Sequence, residues 1–194
     1  VISDLYEAGC RNIQLDDCTW GMMADKSGHF AYGTTQEGLI EIQKAHKDIN
    51  NKVIANAPKD IVINTHVCRG NFHSTYANSG AYDPVADILF GEENVDAYYL
   101  EFDDERSGGF APLAKVSGDK KVVLGLITTK SPKLENKEEV INRIHEAEKY
   151  IPLDRLYLSP QCGFASCEIG NKLTAEEQWA KLKFVKEIAE EVWG

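Results

Sequence analysis

The sequence repeats one pattern five times: a short apolar run, a polar loop, and then a stretch with helical spacing. The apolar runs cover residues 11–16, 61–68, 97–102, 121–128 and 155–158, and the helical stretches cover residues 36–49, 83–90, 111–116, 137–150 and 174–193. These runs are too uniformly apolar for a sheet with one face in water. The repetition therefore predicts an α/β fold in which helices bury parallel strands.

Polar residues at the ends of the strand runs distinguish between the two architectures that this repeat allows. An open doubly wound sheet concentrates its ligand residues at one switch point, whereas a (β/α)8 TIM barrel collects them from successive strand ends. The strand-end residues here are Asp16, His66 with Cys68, Glu101, Thr129 with Lys130, and Cys162. Because they follow every run, we predict a TIM barrel.

The length of 194 residues is short for a barrel, which usually needs about 250 residues. The opening residues Ile2, Leu5 and Tyr6 have the spacing of the end of a helix. By the eight-unit rule, we expect residues 1–194 to be the C-terminal portion of a single barrel domain. About five β-α units would be present and about three N-terminal units absent from this chain.

Composition excludes several classes of protein. A net charge of −10 argues against a nucleic-acid surface, which needs clustered Lys and Arg. No apolar run approaches the roughly 18 residues of a membrane span. The first residues lack the pattern of a signal peptide, and the five scattered cysteines do not suggest a disulfide framework. We therefore expect a cytoplasmic protein that binds neither nucleic acid nor membrane.

Four strand-end side chains form a candidate metal centre. His66 and Cys68, two residues apart on a strand, project to the same face about 6 to 7 Å from each other. With Glu101 and Cys162 they offer one imidazole, two thiolates and one carboxylate, a set that tetrahedral zinc accepts. The His-x-Cys spacing alone is a weak signal, since such residues are more often hydrogen-bonded or buried without a metal. Glu101 also precedes the acidic run 103–105, so a solvated loop charge stays open for it.

Four segments together resemble the C-terminal catalytic barrel of cobalamin-independent methionine synthase, and among that family the short single-barrel relatives most. The segments are Ile-Gln-Leu-Asp-Asp at 13–17, Thr-His-Val-Cys at 65–68, Tyr-Leu-Glu at 99–101 and Leu-Ser-Pro-Gln-Cys-Gly-Phe at 158–164. The resemblance implies a zinc cofactor held by His66, Cys68, Glu101 and Cys162, and an amino group of homocysteine bound by Asp16. It implies transfer of a methyl group from 5-methyltetrahydrofolate to the thiol of homocysteine, giving methionine.

The charge of this ligand set agrees with that chemistry. Two thiolates and one carboxylate carry three negative charges against the two positive charges of zinc. A net negative site favours nucleophilic sulfur, whereas hydrolytic zinc sites keep more neutral His ligands to polarise water. We therefore predict zinc-thiolate alkyl transfer.

The residue at position 130 departs from the family pattern. The run Leu-Ile-Thr-Thr-Lys-Ser-Pro at 126–132 places Lys130 where the family has a histidine that protonates the folate leaving group. Lys, with a pKa of about 10.4, is a weaker acid than His at about 6.5. Lys130 is thus a candidate either for catalytic acid or for a partner of a substrate carboxylate or phosphate. A different methyl donor or thiol acceptor, and an inactive fragment that only binds zinc, stay open.

The last helical stretch, residues 174–193, has the clearest pattern. Thr174 and Glu177 form a capping box at its start. The apolar residues Trp179, Leu182, Val185, Ile188 and Val192 recur at helical intervals and predict a core-facing stripe.

A few residues outside the candidate set have side chains that could also bind substrate or metal. Asp17 is the obvious competitor of Asp16 for the substrate role, and Cys167 is interpreted as a spectator thiol. His29, His46 and His73 lie in polar surroundings and are predicted at the surface or in loops. Of these, His73 is close enough to the metal strand to reach substrate.

Overall fold

The computed structural model describes residues 1–194 and contains one parallel five-stranded sheet. Its strands are β1 (Asn12–Asp16), β2 (Val62–Val67), β3 (Ala97–Glu101), β4 (Lys121–Ile127) and β5 (Leu156–Pro160). They lie in chain order, and each pairs in parallel with the next. A doubly wound sheet reverses its order at a switch point, whereas sequential order is that of a barrel. The predicted α/β class and barrel topology are confirmed.

Helices follow the strands. They are α1 (Ile2–Glu7), α2 (Cys18–Ala24), α3 (Gly28–Ala31), α4 (Gln36–Ala55), α5 (Asp83–Glu92), α6 (Lys137–Glu148) and α7 (Ala175–Trp193), with short 3-10 turns at Glu105–Ser107, Ala111–Lys115 and Leu153–Arg155. The predicted helix over 111–116 is one of these 3-10 turns. None of the helices combines the length and apolar character that crossing a membrane requires.

Helix α4 extends beyond its predicted end at residue 49. Asn50 and Asn51, which are poor helix formers, stand at that point. Their side chains donate to the Glu93 carboxylate at 2.6 Å and to the Glu92 carbonyl at 2.9 Å. These contacts with the end of α5 compensate for the low propensity, so tertiary packing decides the length of the helix.

The hydrophobic core lies between one face of the sheet and the surrounding helices. Tyr98 and Leu100 of β3 pack there with Trp20 of α2 and Phe90 of α5, all fully buried or nearly so. The edge strand β1, by contrast, alternates exposed and half-buried residues. The sheet therefore has one apolar face toward the helices and a more polar face that carries the strand-end residues.

Helix α7 has the predicted N-terminal cap, but the predicted core-facing stripe of apolar residues is wrong at one turn. The Thr174 hydroxyl accepts from the Glu177 amide at 3.2 Å, and the Glu177 carboxylate accepts from the Thr174 amide at 2.8 Å. Trp179, predicted to face the core, is 66% exposed, while Lys181 is fully buried. The predicted stripe is wrong at this turn because Lys181 is buried there. The Glu135 carboxylate pairs with the Lys181 ammonium at 3.0 Å, which makes the burial of the lysine tolerable.

A glycine in β4 lets three strand ends approach one another. The register between β4 and β5 shifts just after Gly125. A Cβ at Gly125 would lie 2.7 Å from both the Gln161 Cα and the Leu100 carbonyl oxygen. Only glycine permits this approach, and it brings the residues after β5 toward the end of β3.

Candidate metal centre

Four side chains converge at the carboxyl ends of β2, β3 and β5. The ligand atoms of His66, Cys68, Glu101 and Cys162 all lie within 4.8 Å of one another. The two sulfur atoms are 4.0 Å apart. Tetrahedral zinc, with bonds of about 2.0–2.3 Å, places its ligand atoms about 3.3–3.8 Å apart. The four predicted ligands therefore need to close by only about 1 Å to share one ion.

The imidazole of His66 is oriented as a ligand would be. Strand pairing places His66 between Asp16 of β1 and Tyr99 of β3. With its proton on Nδ1, the ring donates to the Tyr99 carbonyl at 3.2 Å, whereas Nε2 is buried and has no hydrogen-bond partner. Buried polar atoms are nearly always paired, and metal-binding histidines characteristically donate their second nitrogen to such a carbonyl. The orphaned Nε2 thus fits a metal ion.

The two cysteines share a proton. The contact with Cys68 lowers the pKa of Cys162 below its ordinary value, even though burial acts in the opposite direction. The pKa of Cys68 is raised well above its ordinary value, since the same contact and burial both favour its protonated form. Burial acts to lower the pKa of His66, but Cys162 and Glu101 raise it by more. A cation bound between the two sulfur atoms would favour the deprotonated form of both.

Glu101 is fully buried, so the alternative of a solvated loop charge is wrong. One carboxylate oxygen accepts from the Arg69 amide at 2.9 Å and the other from the Arg106 guanidinium at 2.8 Å. Burial raises the pKa of Glu101, although Arg69, Lys130 and Arg106 act to lower it. Each oxygen keeps a second lone pair, which leaves the carboxylate able to bind a metal.

Arg106 organises the acidic run that follows Glu101. Its guanidinium pairs with Glu101, with Asp103 at 2.8 Å, and with Asp104. The Tyr82 hydroxyl accepts from the Glu101 amide at 3.1 Å and donates to the Glu101 carbonyl at 3.3 Å. Both the side chain and the backbone of Glu101 are thus fixed by buried partners.

A cavity of about 490 Å³ opens beside the converging side chains. Asp16, the predicted substrate residue, lines this cavity together with His66 and Cys162. The Gln14 side-chain amide donates to the Asp16 carboxylate at 2.7 Å. The Asp16 carboxylate is therefore oriented by its neighbour and open to a ligand on the same side as the candidate metal centre.

Lys130 has an unpaired ammonium group. Its Nζ is buried and has no hydrogen-bond partner, and its charge acts on Glu101. A buried charge without a partner is costly. The structure thus places the predicted catalytic lysine near Glu101, with its donors unused.

Asp17 and His46 belong to a different region. Asp17 is 9% exposed, and its carboxylate accepts from His46 at 2.7 Å and from Asn50 at 3.0 Å. Asp17 therefore does not line the cavity beside Asp16. His46, predicted at the surface or in a loop, lies in helix α4 with its side chain 23% exposed. The thiol of Cys167 is not among the converging ligand atoms.

Sequence reasoning missed the amide side chains that surround the centre. Asn71 and Asn171 bond to each other at 2.9 Å, and Gln161 accepts from the Thr129 amide at 2.7 Å. Asparagine and glutamine in polar loops are ordinary, and nothing in their spacing shows which of them will meet.

Comparison with known proteins identifies one family. Residues 1–191 match the family model described as "Cobalamin-independent synthase, Catalytic domain". YxjG of Bacillus subtilis (strain 168) is 49% identical over 196 residues, which is 99% of this chain and 51% of that protein. The methionine synthase of Saccharolobus solfataricus is 24% identical over 191 residues, 98% of this chain and 48% of that protein.

A solved structure agrees with the sequence matches. The crystal structure of a Listeria monocytogenes protein, described as a candidate vitamin-B12 independent methionine synthase, has a TM-score of 0.76 and 36% identity. It is matched over 100% of this chain and 52% of that one. The chain thus spans about half the length of the relatives it matches. Because the family model covers residues 1–191, this chain belongs to the cobalamin-independent methionine synthase family, in its catalytic domain.

Proposed function

We propose that this chain carries the metal centre of a zinc-dependent methyltransferase that methylates the thiol of homocysteine and forms methionine. The convergence of four ligand atoms within 4.8 Å, at strand ends beside a cavity, is the observation that carries the proposal. Family membership and the similarity to a methionine synthase support it. The methyl donor we propose first is 5-methyltetrahydrofolate, which the family resemblance implies.

The domain assignment is part of the same proposal. Five sequential strands are present, whereas a closed barrel has eight. YxjG, which matches 99% of this chain, is about twice as long. We therefore propose that residues 1–194 form the C-terminal portion of one barrel domain, in which the remaining strands would pair with the edges of β1 and β5.

The residues of the centre have distinct roles in this reaction. His66, Cys68, Glu101 and Cys162 would hold zinc, which when bound would keep the thiol of the substrate deprotonated and nucleophilic at neutral pH. Asp16 would bind the amino group of homocysteine, since its carboxylate is held by Gln14 and faces the same cavity as His66.

Lys130 would bind an anionic group of a substrate. Its buried ammonium has three donors and no acceptor within the chain, and an ordinary lysine is a poor proton donor at neutral pH. This residue also favours a second candidate, a thiol methyltransferase of the same family with a different methyl donor. A donor whose leaving group needs no strong acid would suit Lys130 better than methyl-folate does.

The state of the cysteines bears on the cellular location. All five are free thiols in the structure. Proteins of oxidising compartments tend to pair their cysteines, and zinc thiolates need reduced sulfur. On this ground we propose that the protein works in the cytoplasm.

The test measures zinc per chain and methionine formed from homocysteine and methyl-folate. Wild type is compared with Cys162→Ala and with Cys167→Ala, a matched control because Cys167 lies in the same loop outside the ligand set. We expect stoichiometric zinc and methionine in wild type and the control, and neither in Cys162→Ala. Zinc without methionine would contradict methyl-folate-dependent synthesis by this chain and leave the second candidate and a fragment that only binds zinc. A wild-type protein that binds no zinc would contradict both.

A further inference from the structure

The side chain of Asn171 bridges the two loops that carry the thiolates. Cys68 opens the loop after β2, and Cys162 opens the loop between β5 and α7. Asn171, in the second loop, accepts from the Ser74 amide at 2.8 Å and donates to the Asn71 side-chain oxygen at 2.9 Å. One amide group thus bridges both loops.

The same amide reaches the loop that carries Lys130. Asn171 donates to the Thr129 carbonyl at 2.9 Å. The Thr129 amide and hydroxyl both donate to the Gln161 side-chain oxygen, at 2.7 and 2.9 Å. Thr129 and Gln161 are 0% and 1% exposed, so these bonds are shielded from water. We call Asn71, Thr129, Gln161 and Asn171 the amide clasp.

The clasp reaches the sulfur of Cys162 through Ser166. Asn71 donates to the Gly163 carbonyl and to the Ser166 hydroxyl oxygen, both at 2.7 Å. The Ser166 oxygen lies 3.7 Å from the Cys162 sulfur. Because this oxygen already accepts from Asn71, its own proton is available to donate to the Cys162 thiolate.

Unusual backbone geometry lies at the same contact. His73 and Ser74 have positive φ angles of 45° and 67°, the only such angles outside glycine. Non-glycine residues adopt them rarely and keep them where the surroundings impose them. Here the Ser74 amide donates to Asn171, and the Ser74 hydroxyl accepts from the Lys172 amide at 2.8 Å. The contact between the two loops therefore imposes a defined conformation on the loop after Cys68.

We propose that Asn171 is a positioning residue for the metal centre. Through the amide clasp it fixes the loops of Cys68 and Cys162 so that their sulfur atoms stay 4.0 Å apart before a metal arrives. Preorganised ligands need less ordering when the ion binds. This inference rests on the proposed zinc function, and it adds a group outside the ligand set on which zinc affinity depends.

The experiment compares zinc affinity in the full chain for wild type, Asn171→Ala, Asn71→Ala and Asn51→Ala. Asn51 is a matched control, because its amide also bridges two elements, donating to the Glu92 carbonyl at 2.9 Å and accepting from the Asn94 amide at 2.7 Å. Affinity is measured by competition with a chromophoric chelator. Cobalt substitution adds the intensity of the thiolate-to-cobalt absorption, and thermal unfolding of the metal-free proteins reports stability.

We expect Asn171→Ala and Asn71→Ala to weaken zinc binding by up to about 10- to 100-fold, the effect of losing a group bonded directly to a metal ligand. They should also weaken the cobalt-thiolate absorption. Asn51→Ala should lower stability with zinc affinity unchanged. Wild-type affinity in both clasp variants, or an equal loss in Asn51→Ala, would overturn the inference. If Asn171→Ala does not fold, the zinc affinity of Asn71→Ala tests the inference. Absence of zinc binding in wild type would instead contradict the proposed function.

Discussion

Asp16 and Asp17 are neighbours in the chain, yet they belong to two different clusters of polar groups, and only Asp17 is buried. Asp16 faces the cavity of the metal centre. Asp17 faces the helices, where it forms a buried network with His46, Asn50 and Glu93. In that network Asn50 joins the two carboxylates, at 3.0 Å from Asp17 and 2.6 Å from Glu93.

The two clusters differ in what their members leave unpaired. In the metal centre the His66 Nε2 and the Lys130 ammonium have no partner. In the buried network Asp17 and His46 pair with each other at 2.7 Å, and burial raises the pKa of Glu93 to about 7, so that near neutral pH much of it is uncharged. The buried network leaves one carboxyl oxygen unpaired, the Glu93 Oε2, on a group that is largely uncharged near neutral pH, whereas the metal centre leaves a metal-binding nitrogen and a charged ammonium unpaired.

Replacing each buried glutamate by glutamine should give the largest difference between the two clusters. Glu101→Gln should weaken zinc binding more than about 100-fold, beyond the effect of losing an outer partner, because it removes a charged ligand. Glu93→Gln should leave zinc affinity unchanged. Chelator competition on both variants measures this. Equal zinc affinity in the two variants would contradict the assignment of Glu101 as a ligand.

Part of the pH dependence of stability should come from Glu93. Its pKa is raised to about 7 in the folded chain from an ordinary 4.5. Between these values the unfolded chain loses this proton and the folded chain keeps it, so stability falls as pH rises, by about 3 kcal/mol in total, and is constant above pH 7.

Glu93→Gln should remove this part of the pH dependence. His46, whose pKa is raised by Asp17 against the effect of burial, adds a smaller loss as pH rises past its ordinary value. Denaturant unfolding at pH 5 and pH 7.5 compares the two proteins. Parallel pH profiles for wild type and Glu93→Gln would show that Glu93 is ionised in the folded chain.

Two lysines compare an unpaired buried ammonium group with a paired one. Lys130→Met should raise the KM of the anionic substrate about 10- to 100-fold, the value of one lost charge-assisted hydrogen bond, with a smaller change in kcat. Lys181→Met should leave KM unchanged and lower stability, since Lys181 is paired with Glu135 at 3.0 Å. Steady-state kinetics of both variants measure KM and kcat. A fall in kcat with unchanged KM would assign proton donation to Lys130 instead.

Replacing two buried tyrosines by phenylalanine should give the smallest difference between a variant at the metal centre and a variant elsewhere. Tyr82→Phe removes the hydroxyl that holds the Glu101 backbone at 3.1 Å, and Tyr98→Phe removes the hydroxyl that donates to the Leu89 carbonyl at 2.7 Å. Each should lower the free energy of unfolding by about 1 kcal/mol. Only Tyr82→Phe should also weaken zinc binding, and identical zinc affinity in both would show that the Glu101 backbone needs no such support.

The sequence was sufficient to predict the sheet and the convergence of the candidate ligands. Strand runs are visible as local apolar patterns, and the carboxyl ends of parallel strands meet at one edge of the sheet. His66, Cys68, Glu101 and Cys162 could therefore be placed together without knowledge of any contact. Their roles as zinc ligands stay a prediction.

What the sequence did not predict depends on partners from distant segments. The helical pattern of α7 placed Trp179 inside, and the pairing of Lys181 with Glu135 reversed that order. Asn171 became a bridge between loops only because the loops after β2 and β4 fold against its own. Such pairings between distant polar side chains have no local periodicity.

The most direct measurement is X-ray absorption spectroscopy of the zinc-loaded protein, before and after homocysteine is added. The account predicts two sulfur ligands at about 2.3 Å and two nitrogen or oxygen ligands at about 2.0–2.2 Å, and a third sulfur once homocysteine binds. A coordination shell of nitrogen and oxygen alone, or one whose sulfur count stays the same when homocysteine binds, would contradict it.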